Sequence, residues 1–225
     1  MIATWQAPLN EANTSEELLV SFDQGRARRA LIIPALFDEA NKMRRFTVQM
    51  MRELDQLGID SFLPDLPGQN ESLQPLRDQS LASWKAAIGA ALRTTQASEW
   101  FSIRAGALIA PDSPTGHHYA PQTGAKQLRA MIRARTIAAR EAGLEETSDA
   151  LGEQGRSQGL TLAGWSIGPA MFGELEAASE PSAHPVIDQK MVGGRGLWLR
   201  AEPDDDAEQA RRLASLIAGP DGAQE

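Results

Sequence analysis

Cysteine is missing from this sequence of 225 residues. Its absence excludes disulfide bonds, thiolate metal ligands and a cysteine nucleophile. Histidine is scarce as well: there are three, two of them adjacent at His117 and His118, which argues against a metal centre built from imidazoles. The residues therefore predict neither a metal site nor a cofactor.

An excess of positive charge and long apolar runs are also missing. Lys and Arg number 22 against 30 Asp and Glu, a net charge of −8 that argues against a nucleic-acid partner. No apolar run approaches the ~20 residues that a membrane span needs. The amino terminus shows no basic region followed by an apolar stretch, the mark of a signal peptide. We expect a cytoplasmic protein without a membrane span.

Residues 30–72 are the most informative stretch of the chain. A short apolar run at 30–33 is typical of a strand buried on both faces. Apolar residues then recur at helical spacing from 46 to 57, and Gly58 suits a left-handed helix cap. Residues 59–63 read as a second strand. Such a strand–helix–strand unit predicts two parallel strands joined by a right-handed crossover.

Strands and helices alternate along the rest of the chain, which predicts one domain over residues 1–225 with three layers, α/β/α, around a mostly parallel sheet. Residues 1–17 read as a loose arm, and the strand at 18–22 should form a hairpin with the strand at 30–33. Segment 111–124 reads as a loop and 179–196 as irregular. Further helices are predicted at 81–92, 104–110, 125–141, 144–151, 169–178 and 207–218, and further strands at 100–103, 117–120, 160–164 and 197–199.

The sequence GWSIG at residues 164–168 is a literal G-x-S-x-G, predicted to follow a strand and to precede a helix, as a nucleophile elbow does. Ser166 would then be the nucleophile, and Asp205, in the acidic run 204–206, the acid. No histidine follows that run, because the last one is His184. The alternative is that Ser166 only caps the following helix.

Arg104 lies at another strand-to-helix turn, between small residues. An arginine cannot act as a nucleophile, but its planar fork can hold an anion. The alternative is an ion pair with Asp38, Glu39 or Asp65.

The loops that follow the first two buried strands carry further polar side chains. In parallel sheets, ligands bind at the carboxyl ends of the strands. Asp38, Asn41 and Lys42 follow the first strand and Asp65 the second, so we expect a small anionic ligand there. The alternatives are a capped, solvated helix start for the first group and a structural turn for Asp65.

The predicted helix at residues 125–141 has a basic face, with Lys126, Arg129, Arg133, Arg135 and Arg140. Such a face is usually solvated, and a protein or anionic partner is the alternative.

Several ordered blocks between residues 31 and 176 resemble the α/β-hydrolase superfamily. More narrowly, they are similar to the exosortase A system-associated hydrolases, second type. The blocks that carry this resemblance are DEANKMRR at 38–45, DLPGQNES at 65–72, RAGAL at 104–108, APQTG at 120–124, and LAGW at 162–165 with PA at 169–170.

The resemblance implies a cytoplasmic bacterial protein that works beside a system for exopolysaccharide production and for sorting proteins with a Pro-Glu-Pro carboxyl-terminal signal. It implies a sheet of the α/β-hydrolase type, with arginine at the elbow as a family trait. This chain departs from the pattern in two places. The connection after Gly106 is short, and the segment after Gly219 is too short for the final strand and the loop that carries the histidine.

Three hypotheses follow from the sequence. The first is a catalytically degenerate hydrolase-fold protein that binds a ligand or partner through Arg104, Asn41 and Lys42. The second is an active serine ester hydrolase that uses Ser166. The third is a non-enzymatic subunit that binds a protein of the same operon through the basic helix at 125–141.

Overall fold

A seven-stranded sheet forms the centre of the protein in the computed structural model, which describes residues 1–112, 115–179 and 184–219. Its strands are β1 (Ile2–Pro8), β2 (Thr14–Phe22), β3 (Arg29–Ile33), β4 (Asp60–Pro64), β5 (Glu99–Ile103), β6 (Gly116–Tyr119) and β9 (Val186–Ile187). The order across the sheet is β1-β2-β4-β3-β5-β6-β9. β3, β4, β5, β6 and β9 are parallel, so the mostly parallel sheet is confirmed.

Helices cover both faces of the sheet and complete the three layers. They are α1 (Asp38–Gln56), α2 (Leu81–Thr95), α3 (Gly124–Glu141), α4 (Ser148–Gln158), α5 (Pro169–Ala177), α6 (Gln189–Val192) and α7 (Ala207–Ala218). One hydrophobic core lies under α1 and α7, and the other lies under α2, α3, α4 and α5. Alternate residues of a central strand pack into opposite cores. In β3, Leu31 and Ile33 lie in the core under α2, α3, α4 and α5, and Ala30 and Ile32 lie in the core under α1 and α7.

The amino terminus is not a loose arm. β1 and β2 form an antiparallel hairpin at the edge of the sheet, and Trp5 and Ala7 enter the core. The predicted hairpin between β2 and β3 is also wrong, because β2 pairs with β4 instead. Asp60, at the start of β4, fixes the connection between β2 and β3 by accepting hydrogen bonds from the backbone N–H groups of Gln24 and Arg26.

The central unit follows the sequence pattern closely. β3, α1 and β4 are all present, and Gly58 has φ of 75°, the left-handed conformation that the sequence predicts. α1 begins at Asp38, so residues 38–42 form its first turn rather than a loop.

Three other predictions need correction. β7 (Leu160–Leu162) is separate from the main sheet and pairs with β8 (Trp165–Ile167). Segment 179–196 contains β9 and α6, and its residues 180–183 lie outside the described chain. The predicted strand at 197–199 is a 3₁₀ helix, Leu197–Leu199.

Segment 111–124 is loop around β6, and its residues 113–114 are likewise not described.

Among the residues that the structure describes, no helix has both the length and the apolar character needed to cross a membrane.

Candidate functional site

Strained backbone is concentrated at the carboxyl edge of the sheet. Six of the described residues other than glycine have positive φ. Four of them come after the parallel strands β3, β4, β5 and β6, in that order: Phe37, Asn70, Arg104 and Ala120. The other two are Gln96, at the end of α2, and Ala163. Such conformations are unfavourable for residues with a Cβ and are found preferentially at functional sites. The strain therefore marks this edge as the candidate site.

Arg104 occupies a sharp strand-to-helix turn. β5 ends at Ile103, Arg104 has φ of 55°, and a 3₁₀ helix runs from Arg104 to Ile109. Gly106 permits the close approach of this turn to β3, because a Cβ there would lie 2.3 Å from the carbonyl oxygen of Pro34. The turn thus has the shape of a nucleophile elbow, with an arginine at its central position.

Protein groups already hold the guanidinium of Arg104. Its Nε donates to Glu39 Oε2 at 2.9 Å, and one Nη donates to the carbonyl oxygen of Ala120 at 2.7 Å. The other Nη donates to Glu39 and to Gln122 Oε1. The guanidinium carbon also lies 4.1 Å from the ring centre of Trp198. Of the proposed ion-pair partners, Glu39 is the one that binds Arg104.

The other predicted ligand residues have separate surroundings. Asp38 forms an ion pair with Lys42 within α1, at 2.8 Å. Asn41 is exposed on the same helix. Asp65 is buried and accepts hydrogen bonds from Arg44 and Asn70, which makes it part of an ordered turn. Of these four predicted ligand residues, Asp38 and Lys42 share a cleft with Arg104.

Two clefts open beside Arg104. The first, of about 520 Å³, lies between α1, α3 and the 3₁₀ helix Leu197–Leu199. The second, of about 470 Å³, lies towards β9 and α6. Both volumes are within the ~300–1,000 Å³ range of small-molecule sites.

Ser166 does not lie on a nucleophile elbow. Ala163 and Gly164, with φ of 48° and 87°, form the two-residue turn between β7 and β8, because such a hairpin turn requires positive φ at both positions. Ser166 therefore lies within β8, with its side chain exposed. In the described part of the chain, no hydrogen bond joins its hydroxyl to a histidine or to Asp205, whose partner is Arg45 at 3.1 Å.

A buried serine–histidine pair lies elsewhere, and sequence reasoning missed it. The parallel register of β5 and β6 places Ser102 opposite His118, with Oγ and Nδ1 sharing a hydrogen bond of 2.6 Å. Both residues are fully buried, and His118 Nε2 has no partner among the described groups. Burial, together with smaller contributions from the nearby His184 and His117, lowers the pKa of His118 to about 4. A substrate could not reach this pair.

Within residues 1–112, 115–179 and 184–219, no group of three histidine, aspartate or glutamate side chains is placed to hold a metal ion.

Known proteins resemble this chain in fold. No protein-family profile and no curated protein matches the sequence. Among solved structures, a putative hydrolase from Agrobacterium vitis S4 aligns with a TM-score of 0.51 and 15% identity, over 84% of this chain and 77% of its own. Mouse alpha/beta hydrolase domain-containing protein 10 aligns with a TM-score of 0.51 and 13% identity, over 84% and 76% of the two chains.

Est1E from Butyrivibrio proteoclasticus, solved with ferulic acid bound, aligns with a TM-score of 0.50 and 14% identity, over 76% of this chain and 74% of its own. At such identities a likeness shows the fold and nothing about activity. This chain has the α/β-hydrolase fold.

Proposed function

We propose that this protein is an α/β-hydrolase-fold protein without hydrolase activity, which binds a ligand at the carboxyl edge of its sheet in the cleft beside Arg104. The observation that carries the proposal is Arg104 at the elbow, held by Glu39 and Gln122. A guanidinium stays protonated in proteins and cannot attack a carbonyl group. The strained residues around it support a binding role for the same edge.

The arrangement of the histidines also supports a loss of catalysis. Serine hydrolases need an accessible serine whose proton passes to a histidine, and an acid that orients the ring. His118 contacts a serine that is buried, and its second nitrogen meets no carboxylate among the described residues. The exposed Ser166 has no histidine partner within the same residues.

The cellular setting that we propose rests on the sequence resemblance. Blocks at residues 38–45, 65–72 and 104–108 are similar to exosortase A system-associated proteins. We therefore place the protein in the cytoplasm, as an accessory to exopolysaccharide production and to the sorting of proteins with a Pro-Glu-Pro signal.

A fluorophosphonate probe tests for catalysis directly, because it traps activated serines covalently. We expect no labelling of the purified protein under conditions that label an active serine esterase completely, as measured by intact mass. Ser166→Ala is the matched variant. Labelling that disappears in Ser166→Ala would establish an active hydrolase and overturn the proposal.

A second candidate function is supported by the outer surface of α3. Arg129 and Arg133 form no ion pair with any described residue, and Ile137 beside them is 49% exposed. Unpaired arginines beside exposed apolar side chains are common at protein interfaces. The candidate partner is a protein encoded in the same operon.

Charge reversal tests this second function. We expect Arg129→Glu with Arg133→Glu to reduce capture of that partner at least tenfold in a pull-down, because each substitution places a negative charge where the partner meets a positive one. Arg52→Glu, at an exposed position on α1, is the control and should change nothing. Equal capture by both variants would remove this candidate.

A further inference from the structure

Within the described chain, β1 forms one edge of the main sheet and leaves its outer side unpaired. It pairs with β2 over seven consecutive residues, without a bulge. Edge strands normally carry features that hinder pairing with another chain: a charged side chain, an internal proline or a bulge. β1 has no charged side chain, and its one proline, Pro8, is its last residue. This edge therefore lacks the usual protection.

The hydrogen bonds at both ends of the β1–β2 hairpin show which backbone groups of β1 face inwards. Met1 and Ser21 exchange both of their backbone hydrogen bonds at one end. At the other end, the N–H of Leu9 donates to the carbonyl oxygen of Asn13 at 2.9 Å. In an antiparallel pair, hydrogen-bonded residue pairs alternate with pairs that are not hydrogen-bonded. The odd-numbered residues of β1 therefore bond to β2.

The even-numbered residues present their backbone groups to the open edge. Ile2, Thr4 and Gln6 each have one N–H donor and one C=O acceptor there, and no described residue forms a backbone hydrogen bond with these groups. All three residues are exposed. Pro8 adds only a carbonyl oxygen, because proline has no N–H. The edge is thus a template for one further strand.

The pattern of donors and acceptors is complementary to itself when a second copy of β1 runs antiparallel. With Thr4 on a two-fold axis, Thr4 faces Thr4 of the second copy and Ile2 faces Gln6. Every outward donor then meets an acceptor, with two backbone hydrogen bonds for each of the three facing pairs. A two-fold axis is the commonest symmetry of protein dimers, and it requires this kind of self-complementary surface.

The neighbouring registers are less favourable. With Trp5 on the axis, Pro8 faces Ile2, so the carbonyl oxygen of Ile2 has no donor and meets the proline ring instead. With Ala3 on the axis, Ile2 and Thr4 are the only outward residues that face each other within β1. The register with Thr4 on the axis is therefore the one that satisfies the edge.

We propose that β1 pairs with β1 of a second copy, so that two chains form a homodimer in which the two seven-stranded sheets become one continuous sheet. The occupant is a second copy because this one strand supplies both halves of the hydrogen-bond pattern. Its side chains agree: Ala3, which is small, faces Trp5 across the pair, and Ile2, which is 72% exposed, is covered by Gln6. Three strands separate β1 from β5, so the proposal does not depend on the cleft beside Arg104.

Sedimentation velocity on the purified, untagged full chain measures the association. A pairing through one short strand should be weak, with a dissociation constant of about 10 µM. We expect the sedimenting mass to rise from 24.3 kDa towards twice that value as the concentration passes through this range. A mass that stays at 24.3 kDa well above it overturns the proposal.

Thr4→Pro removes one outward N–H and leaves the bonds between β1 and β2 intact. Proline is tolerated on an edge strand where its nitrogen faces solvent. We expect the dissociation constant to rise at least tenfold, because the two hydrogen bonds on the axis are lost and two carbonyl oxygens lose their donors. Thr4→Val keeps the N–H and the β-branched shape, and as the control it should change the constant less than threefold. A folded Thr4→Pro protein that dimerises like the wild type overturns the proposal.

Charge placed on the axis tests the register without altering the backbone. Thr4→Lys alone and Thr4→Glu alone each put like charges opposite one another, so each should weaken dimerisation at least tenfold. An equal mixture of the two variants places opposite charges across the axis and should recover the dimer. A mixture that dimerises no better than either variant alone overturns the pairing at Thr4. Thermal melts followed by circular dichroism show whether each variant is folded.

Discussion

Arg104→Ala should lower the free energy of unfolding by about 3 kcal/mol, near the lower end of the range for removing one partner of a buried ion pair. The side chains of Arg104 and Glu39 are only 12% and 14% exposed, so the Glu39 carboxylate would remain largely buried without a cation. Gln122 and the carbonyl of Ala120 would lose their donor as well. For a chain of this size the melting temperature should fall by about 6–12 °C, which circular dichroism would measure.

Two further substitutions separate the ion pair from the backbone strain. Alanine keeps the unfavourable φ of 55°, whereas glycine adopts it freely, so Arg104→Gly should be about 1 kcal/mol more stable than Arg104→Ala. Arg104→Met combined with Glu39→Met should recover much of the loss, because no unpaired charge remains. An Arg104→Ala protein within 1 kcal/mol of the wild type would show that the pair contributes little.

Acid should destabilise the protein through His118 between about pH 6.5 and pH 4. Burial lowers the pKa of the folded imidazole from 6.5 to about 4. Between pH 6.5 and pH 4 the unfolded chain therefore binds a proton at His118 that the folded chain does not bind. The stability that depends on a neutral His118 is fully present above pH 6.5 and is lost as the pH falls towards 4. The loss should reach about 3 kcal/mol, because each pH unit between 6.5 and 4 contributes ~1.36 kcal/mol.

Urea unfolding at pH 7.5, 5.5 and 4.5 would measure this dependence. Stability also depends on pH through other parts of the protein, so the informative quantity is the difference in unfolding free energy between the wild type and His118→Asn. Asparagine keeps a polar group near Ser102 Oγ but has no proton to gain. The variant should be less stable at pH 7.5 and should approach the wild type at pH 4.5. If the unfolding free energies of the two proteins changed with pH by the same amount, the assignment of this pH dependence to His118 would be contradicted.

At the carboxyl edge of the sheet, the sequence predicts where the turn at Arg104 lies but not which side chains contact it. The strand before Arg104 is a short apolar run, and small residues flank the turn, so local chemistry indicates the elbow. The partners of Arg104 come from α1 and from the segment after β6, which are 65 and 18 residues away. Sequence reasoning could only offer Asp38, Glu39 and Asp65 as equivalent candidates, because the side-chain distances depend on how α1 packs.

The nucleophile elbow predicted from the GWSIG motif was wrong for a related reason. Its glycines are compatible with a strand-to-helix turn and equally with a hairpin, and the residues themselves do not separate the two. The pairing of Leu162 with Trp165 decides the matter, since it places Ala163 and Gly164 in the turn and Ser166 on a strand. The hydrogen bond between the side chains of Gln122 and Gln127 could not be predicted from the sequence, because glutamine is common in solvated helices.

The sequence by itself determined the alternation of strands and helices, the β3–α1–β4 unit, the left-handed cap at Gly58 and the turn at Arg104, because each depends on periodicity or backbone conformation within a few residues. Only the tertiary structure decided that β2 pairs with β4, that Ser102 meets His118, and that Glu39 and Gln122 hold Arg104. Those contacts join segments far apart in the chain, and their formation depends on strand order and on which faces are buried together.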